Sequence, residues 1–378
     1  MVEMPTATAA SSEGEPGVAV DDGKGRIFPC ESCGADLTFH IGQQTLACPF
    51  CGFSKDLTPE GVEIGEQDLD AMLRRLVEQR QAGVSDAMET QEVQCSACYA
   101  HVEFTGTLTS THCPYCGSPI QRERVHKSET RVPVDAVLPF QVERRQAHDS
   151  LRKWVKALWF APNDFKKYGV EGKFEGVYLP FWTLDAMTFN RYSGQRGEYY
   201  YTTTGSGKNR RRVRHTRWYP ASGEFQRFFD DVLVRATNAL PKQRLDALEP
   251  WPLNLCRPFN QELLAGYTAR TYDIPLAEGF QEGRGRMESA IKTETRQRIG
   301  GDTQRIHDID TAWSALTYKH LLLPVWILAY RFNNRTFQVI VNAATGEVQG
   351  DRPWSAWKIF FFVVMILMVI GFFLLVAD

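Results

Sequence analysis

The chain lacks the short motifs that mark common catalytic sites. It has no His-Glu-x-x-His, no Gly-x-Ser-x-Gly and no paired acid–histidine constellation. Gly205-Ser-Gly-Lys looks like part of a phosphate loop but fails: a P-loop needs glycine where Thr202 stands and Ser or Thr where Asn209 stands. Gly283-x-Gly285 lacks the third glycine of a dinucleotide loop and lies in a polar helical stretch. Cys256 reads as a buried apolar residue rather than a nucleophile, and Asp230-Asp231 as a lone acidic pair at a strand end. Nothing in the sequence supports an enzyme. No secretory signal peptide is visible, which disfavours disulfides and fits a reducing compartment. No apolar run before residue 359 is long enough to span a membrane, so the membrane signal is confined to the tail and the body reads as soluble. Acid is absent between Glu198 and Glu224.

Cysteine is scarce outside one pattern. Of nine cysteines, eight fall in two copies of C-x2-C-x14-C-P-x-C-G, 65 residues apart. The first set is Cys30, Cys33, Cys48 and Cys51; the second is Cys95, Cys98, Cys113 and Cys116. Two thiolates two residues apart bind one ion because the turn between them aims backbone amides at the sulfurs, and two such knuckles complete a tetrahedron. Gly52 and Gly117 supply positive φ in the tight turns. The spacers alternate, as in Leu37-Thr-Phe-His-Ile and Val102-Glu-Phe-Thr-Gly, and read as short strands. Each set is therefore a zinc-ribbon-like module that needs its metal to fold. A thioredoxin-type site has one C-x-x-C, not four in matched sets. The spacing also resembles rubredoxin-like knuckles that hold iron. A partner di-iron site would need paired Glu-x-x-His, and only Glu123-x-x-His126 occurs, so two zinc ions are expected, one per set. His40, His101 and His112 lie nearby and read as surface or packing residues.

From Ile359 to Ala377 the chain has 19 apolar residues without charge. At about 1.5 Å per residue this spans a hydrocarbon core of roughly 30 Å. Trp354, Trp357, Arg352 and Lys358 precede it as interfacial anchors. The basic flank implies a single C-terminal inner-membrane anchor with the bulk of the chain in the cytoplasm. Residues 1–25 are small and acidic without periodicity, a disordered leader. Ribbons at 26–56 and 93–120 flank a linker at 57–92, where Leu69, Met72, Leu73 and Leu76 fall at helical spacing.

Residues 130–353 contain an internal repeat. Leu179-Pro-Phe-Trp matches Leu323-Pro-Val-Trp, 144 residues on. Val132-Pro with Phe140-Gln parallels Ile274-Pro with Phe280-Gln, and Gly223-Glu-Phe parallels Gly346-Glu-Val. Helices are expected over Arg144–Phe160, with Leu151, Trp154, Val155, Leu158 and Trp159 on one face, and near Phe280–Ile299, ended by Gly300-Gly301. The expectation is an α+β fold of two related helix-on-antiparallel-sheet lobes, 130–270 and 271–353, before an anchor at 358–377. The first lobe carries an insertion, Tyr199 to Tyr219, readable as a long hairpin. Lys208, Arg210, Arg211, Arg212, Arg214 and Arg217 make it a candidate site for anions: phosphates of nucleic acid or of lipid headgroups. As a plain edge ribbon, its arginines would block strand pairing.

The chain resembles a bacterial family of membrane-anchored zinc-ribbon proteins. The resemblance rests on C-P-x-C-G, Trp159-Phe-Ala-Pro-Asn-Asp, Gly176-Val-Tyr-Leu-Pro-Phe-Trp, Arg217-Trp-Tyr-Pro-Ala-Ser-Gly, Gly300-Gly-Asp and Val341-Asn-Ala-Ala-Thr-Gly-Glu. Members often carry a name borrowed from primosomal protein N′ (replication factor Y), a superfamily II helicase. The helicase's ATP-binding motifs are missing here, so that activity is not implied. The ending in Thr-Gly-Glu also resembles the small PepSY-type module. Together these features suggest a non-enzymatic adaptor that recruits a protein partner at the membrane. The alternative is a membrane-tethered nucleic-acid-binding protein linked to replication.

Overall fold

The computed structural model describes residues 24–25, 28–41, 43–57, 64–82, 91–95, 101–104, 108–112, 119–121, 131–163, 165, 174–205, 210–332 and 335–377. In chain order its strands are β1 (Lys24–Gly25), β2 (Thr38–His40), β3 (Thr45–Ala47), β4 (Ser54–Asp56), β5 (Gln67–Asp68), β6 (Gln91–Cys95), β7 (His101–Phe104), β8 (Leu108–His112) and β9 (Pro119–Gln121). They continue with β10 (Ala136–Val137), β11 (Glu175–Thr204), β12 (Arg211–Arg235), β13 (Arg257–Pro258), β14 (Thr268–Arg270), β15 (Thr303–Phe332), β16 (Arg335–Asn342) and β17 (Val348–Gly350). The helices are α1 (Leu69–Gln81), α2 (Arg144–Ala157), α3 (Lys242–Asp246), α4 (Leu276–Ile299) and α5 (Ala356–Ala377). The fold mixes α and β, as the sequence patterns imply.

The strands of the two expected lobes form one sheet of 11 strands rather than two. Its spine is the antiparallel pair β11–β15, 30 residues each, in which Leu179 lies opposite Leu323. Each spine strand continues into its own hairpin partner, β11 into β12 and β15 into β16. The short strands cross over: β10 pairs in parallel with β15 at Leu321 and Leu322, while β14 pairs in parallel with β11 at Val177 and Tyr178. The segments before the two helices therefore exchange places across the spine. Residues 174–182 and 320–328 are nearly all apolar because both faces of the spine are covered: Tyr178, Leu322 and Trp326 pack into one cluster, Leu179, Leu323 and Val325 into another.

The helices follow the apolar spacing in part: α2 ends at Ala157 rather than Phe160, so Leu158 only caps it and Trp159, expected on its apolar face, is exposed. α2 starts in a capping box between Glu143 and Gln146, which satisfies two end groups, and buries Ala147, Leu151 and Val155. α4 buries Gly279, Gly283, Met287 and Ile291, then stops at Gly300, φ 68°. Gly283, considered above for a nucleotide loop, has a packing role: a Cβ there would lie 2.2 Å from Leu184 Cδ1. At Gly279 it would meet Trp182 at 2.5 Å. α1 lays Met72, Leu73 and Leu76 against the same core as α4.

α4 covers β11 as far as Gly194, where Ile299 packs. Past that point the β11–β12 ribbon projects. About 80 Å of strand separate Leu179 from Thr204. On the other side of Leu323, β17 pairs with β16 beside Val339, and Val339 lies opposite Leu328. The chain leaves the sheet there for α5. The register thus places the root of α5 and the tip of the ribbon at opposite ends of the spine.

α5 is the one helix among the described residues that is long and apolar enough to cross a membrane, over Ala356–Phe373. Its root is clasped by the loop after α2. Phe160 accepts the Ser355 amide and packs on Trp354 and Phe362. Lys358 Nζ donates to Ala161 O at 2.8 Å and Asn163 Oδ1 at 2.7 Å. This is what Trp159-Phe-Ala-Pro-Asn does in the fold.

Candidate metal centre and cationic ribbon

The first cysteine set forms two knuckles with the same hydrogen bonds. In one, the Cys30 amide donates to Ala35 O at 2.7 Å and the Gly34 amide to Cys30 O at 2.8 Å. In the other, Cys48 donates to Phe53 O at 2.8 Å and Gly52 to Cys48 O at 3.1 Å. Gly34 and Gly52 take φ of 72° and 75°, a region with little cost for glycine. The turns bring the Cys30 and Cys51 sulfurs to 3.5 Å, as they do those of Cys33 and Cys48. All four sulfurs lie within 4.8 Å of one another. A four-thiolate tetrahedron with bonds of about 2.3 Å has sulfurs about 3.8 Å apart. Donor type and spacing therefore fit one metal ion. The amides also bias the thiols: Phe53 draws Cys51 down to about 6. Cys33, despite the Ala35 amide, is held up at about 12 by its sulfur neighbours.

This module is not a free appendage. Cys30 and Cys48 are buried while Cys33 and Cys51 face outward. Phe28, Leu37, Phe39 and Leu46 belong to the same apolar cluster as Phe140, Tyr178 and Trp326. The Phe39 amide donates to Ala265 O at 3.2 Å, and Gln44 Nε2 donates to Phe140 O at 2.8 Å. Lys55 pairs with Glu262 at 3.1 Å.

The second set is described only in part. Cys95 ends β6, which pairs with β7 and β1. Cys98, Cys113, Cys116 and the Cys95 side chain lie outside the described residues, as do Glu123 and His126. The β8–β9 hairpin of this region adds to the main sheet through β14, where Ser110 lies opposite Ala269. His40 accepts the Gln43 amide and is exposed, in keeping with a surface role; the His101 and His112 side chains lie outside the description.

The expected hairpin is present as the far end of β11 and β12, with Tyr199 opposite Thr216 and Thr204 opposite Arg211. Lys208 lies outside the described residues. The register divides the arginines between two faces. Arg212 and Arg214 share one with Tyr199 and Tyr201, Arg211 and Arg217 the other with Tyr200 and Thr204. Each tyrosine ring carries a guanidinium on one face: Arg212 lies 3.9 Å from the Tyr201 ring, Arg214 4.3 Å from Tyr199 and Arg217 5.3 Å from Tyr200. Such contacts hold the cations in place while leaving them charged.

Two polar clusters were not legible in the sequence. Lys319 reaches Asp231 at 2.9 Å, Asp185 at 3.9 Å and Glu66 of the linker at 3.8 Å. The carboxylates of Asp185, Asp230 and Asp231 also lie together, and the single charge of Lys319 offsets part of that group through Asp185 and Asp231. Next to it, His320 is fully buried against Trp182 and Tyr272. Its Nδ1 faces two carbonyls, Val132 O and Pro133 O, so that nitrogen carries the proton. Burial lowers His320 to about 4. Half-buried Asp135, which accepts the His320 amide at 2.7 Å, is raised by burial to about 6. Cys256 is pushed up to about 12 by burial and by Asp231, so it is a thiol and no nucleophile at neutral pH.

No protein-family model matches the chain, and no solved structure matches it. The chain is similar to an uncharacterized protein of Bacillus subtilis (strain 168), YdjG. The two are 24% identical over 343 residues, covering 88% of this chain and 91% of that protein.

Proposed function

We propose that this protein is a membrane-anchored, zinc-binding adaptor. In this reading it recruits a protein partner at the cytoplasmic face of the inner membrane without chemistry of its own. The observation that carries the reading is the polarity of the spine. An apolar helix leaves one end, and a ribbon rich in arginine and tyrosine leaves the other. That is the geometry of display. The exposed apolar surface of α5 suits lipid rather than water, and Arg352 and Lys358 at its root favour a cytoplasmic body. Zinc suits the four-thiolate set better than iron, and the matching Cys95, Cys98, Cys113 and Cys116 would hold a second ion. The first ribbon acts as a metal staple on the body, and the second extends the sheet.

The body reads as a duplicated β–α–β–β unit. Ala236 donates to Pro180 O and accepts from the Asp273 and Ile274 amides; Ala343 donates to Pro324 O and accepts from Gln141 and Val142. Each tryptophan of the Leu-Pro-x-Trp motif bonds to the carbonyl of the residue two before the other unit's helix.

The test is a mild-detergent pull-down of the full chain, repeated with both cysteine sets changed to serine. One stoichiometric protein partner, lost in the variant, is expected. Salt-dependent DNA binding that requires the ribbon, with no protein partner, would instead establish the nucleic-acid reading.

A further inference from the structure

We infer that the outer edge of β12 at the ribbon tip binds an acidic, extended segment of the recruited partner by strand addition. This rests on the recruitment reading above and names the chemistry of what is recruited. Among the described residues β12 pairs with β11 alone, so its outer edge over Arg211–Asp230 is open. An open edge offers unpaired N–H and C=O groups to any extended chain. The charges decide which chain is accepted. From Arg210 to Gly223 the strand and its approach carry Arg210, Arg211, Arg212, Arg214 and Arg217 and no acid. Two copies of β12 laid edge to edge would set these arginines against one another, which bars self-pairing.

The split of the arginines over two faces distinguishes the possible anions. A lipid surface meets one face of a ribbon, and Arg212 and Arg214 would then point at it while Arg211 and Arg217 point away. The register also carries the tip away from the root of α5. Nucleic acid would stack bases on the tyrosine rings; one face of each ring already carries a guanidinium, while Tyr200 and Tyr201 remain exposed, so the oligonucleotide is a required competitor in the test. A strand added at the edge projects successive side chains to opposite faces. Acids at neighbouring positions of such a strand meet Arg212 and Arg214 on one side and Arg211 and Arg217 on the other. Arginine held over tyrosine is already ordered, so less rotamer freedom is lost when a carboxylate arrives.

The experiment measures fluorescence anisotropy of a labelled decapeptide alternating acidic and β-branched pairs, added to the full-length protein in detergent micelles. Three parallel probes are the Asn/Gln version of the peptide, the acidic peptide N-methylated at alternate residues, and a single-stranded oligodeoxynucleotide. Anionic-lipid vesicles are tested by flotation. The expected result is binding of the acidic peptide, weakened at least tenfold in a variant with Arg211, Arg212, Arg214 and Arg217 changed to Ser. N-methylation, which keeps the charge but removes strand pairing, weakens it similarly. Equal binding of the N-methylated peptide overturns strand addition. Preference for vesicles or oligonucleotide, or no binding of the acidic peptide, overturns the proposal. A stoichiometric partner captured equally by the wild type and the Arg→Ser variant leaves the adaptor reading standing while this edge fails.

Discussion

Trp182 and Trp326 do the same work from opposite strands of the spine. Trp182 Nε1 donates to Ile274 O at 3.1 Å, and Trp326 Nε1 donates to Val142 O at 2.7 Å. Both carbonyls sit just before a helix, α4 in one case and α2 in the other. Each indole also packs on an aromatic ring from the crossing segment: Tyr272 at 5.0 Å for Trp182, Phe140 at 4.9 Å for Trp326. Each half of the sheet therefore locks the helix entry of the other.

Changing either tryptophan to phenylalanine keeps most of the apolar surface but removes the donor to a carbonyl that is buried at Ile274 and partly buried at Val142. The cost is about 1–3 kcal/mol for each site. Urea unfolding of the full chain in micelles, followed by circular dichroism, checks this. Equal losses at the two positions would mark equivalent roles, whereas loss at Trp182 alone would make the Trp326 bond incidental.

Metal removal has a reach that the cysteine pattern alone does not suggest. Phe39 and Leu46, between the knuckles, share an apolar cluster with Trp326. Losing the ion uncovers such side chains, at about 1.5–3 kcal/mol each. With a chelator, or in Cys48→Ser, the melting midpoint of the body is expected to fall by roughly 5 °C or more. Tryptophan emission reports it. A body whose transition ignores the chelator would show the ribbon to be energetically separate.

The knuckles of the first cysteine set, the hairpin, the apolar tail and most of the helix faces were legible because each is local: a spacing, a turn or a period written in consecutive residues. The crossing of β10 and β14 was not, since strands of two and three residues carry no period. The short matches also misled in register. Val132-Pro lies in an extended stretch four residues before β10, whereas Ile274-Pro opens α4 directly. Gly223 and Gly346 look alike in sequence yet serve different needs. A Cβ at Gly223 would lie 2.7 Å from the Tyr192 hydroxyl in mid-strand, whereas Gly346 closes a turn at φ 83°. Of the site, the second face of the arginine ribbon appears only with the strand register, and Lys319 finds Glu66 across 253 residues of chain.

Asn342, in Val341-Asn-Ala-Ala-Thr-Gly-Glu, is fully buried. Its Oδ1 accepts the Ala344 and Thr345 amides at 2.8 and 3.1 Å, and its Nδ2 donates to Leu248 O at 2.9 Å. Asn342→Ala orphans groups on both sides of the turn and is expected to cost about 2–4 kcal/mol. Asn342→Asp keeps the two acceptor bonds but loses the donor and adds a buried charge, so it is expected to be no better. Thermal unfolding of the two variants decides the order.

His320 and Asp135 predict a compensated pH response. His320 falls from 6.5 to about 4 on folding. Its contribution is fully present above pH 6.5 and is lost as pH falls toward 4, because the unfolded chain binds the proton first. Asp135 rises from 3.8 to about 6. Its contribution runs the other way: present below about pH 4 and lost as pH rises through 6. Between pH 4 and 6 the two slopes oppose, each at about 1.4 kcal/mol per pH unit, so their sum is nearly flat in the wild type. Asp135→Asn keeps an acceptor for the His320 amide and removes one slope. The variant is expected to lose about 3 kcal/mol more than the wild type between pH 6.5 and 4. Urea midpoints at half-unit pH steps measure it. Parallel curves for variant and wild type would mean that the two groups do not titrate as their burial dictates.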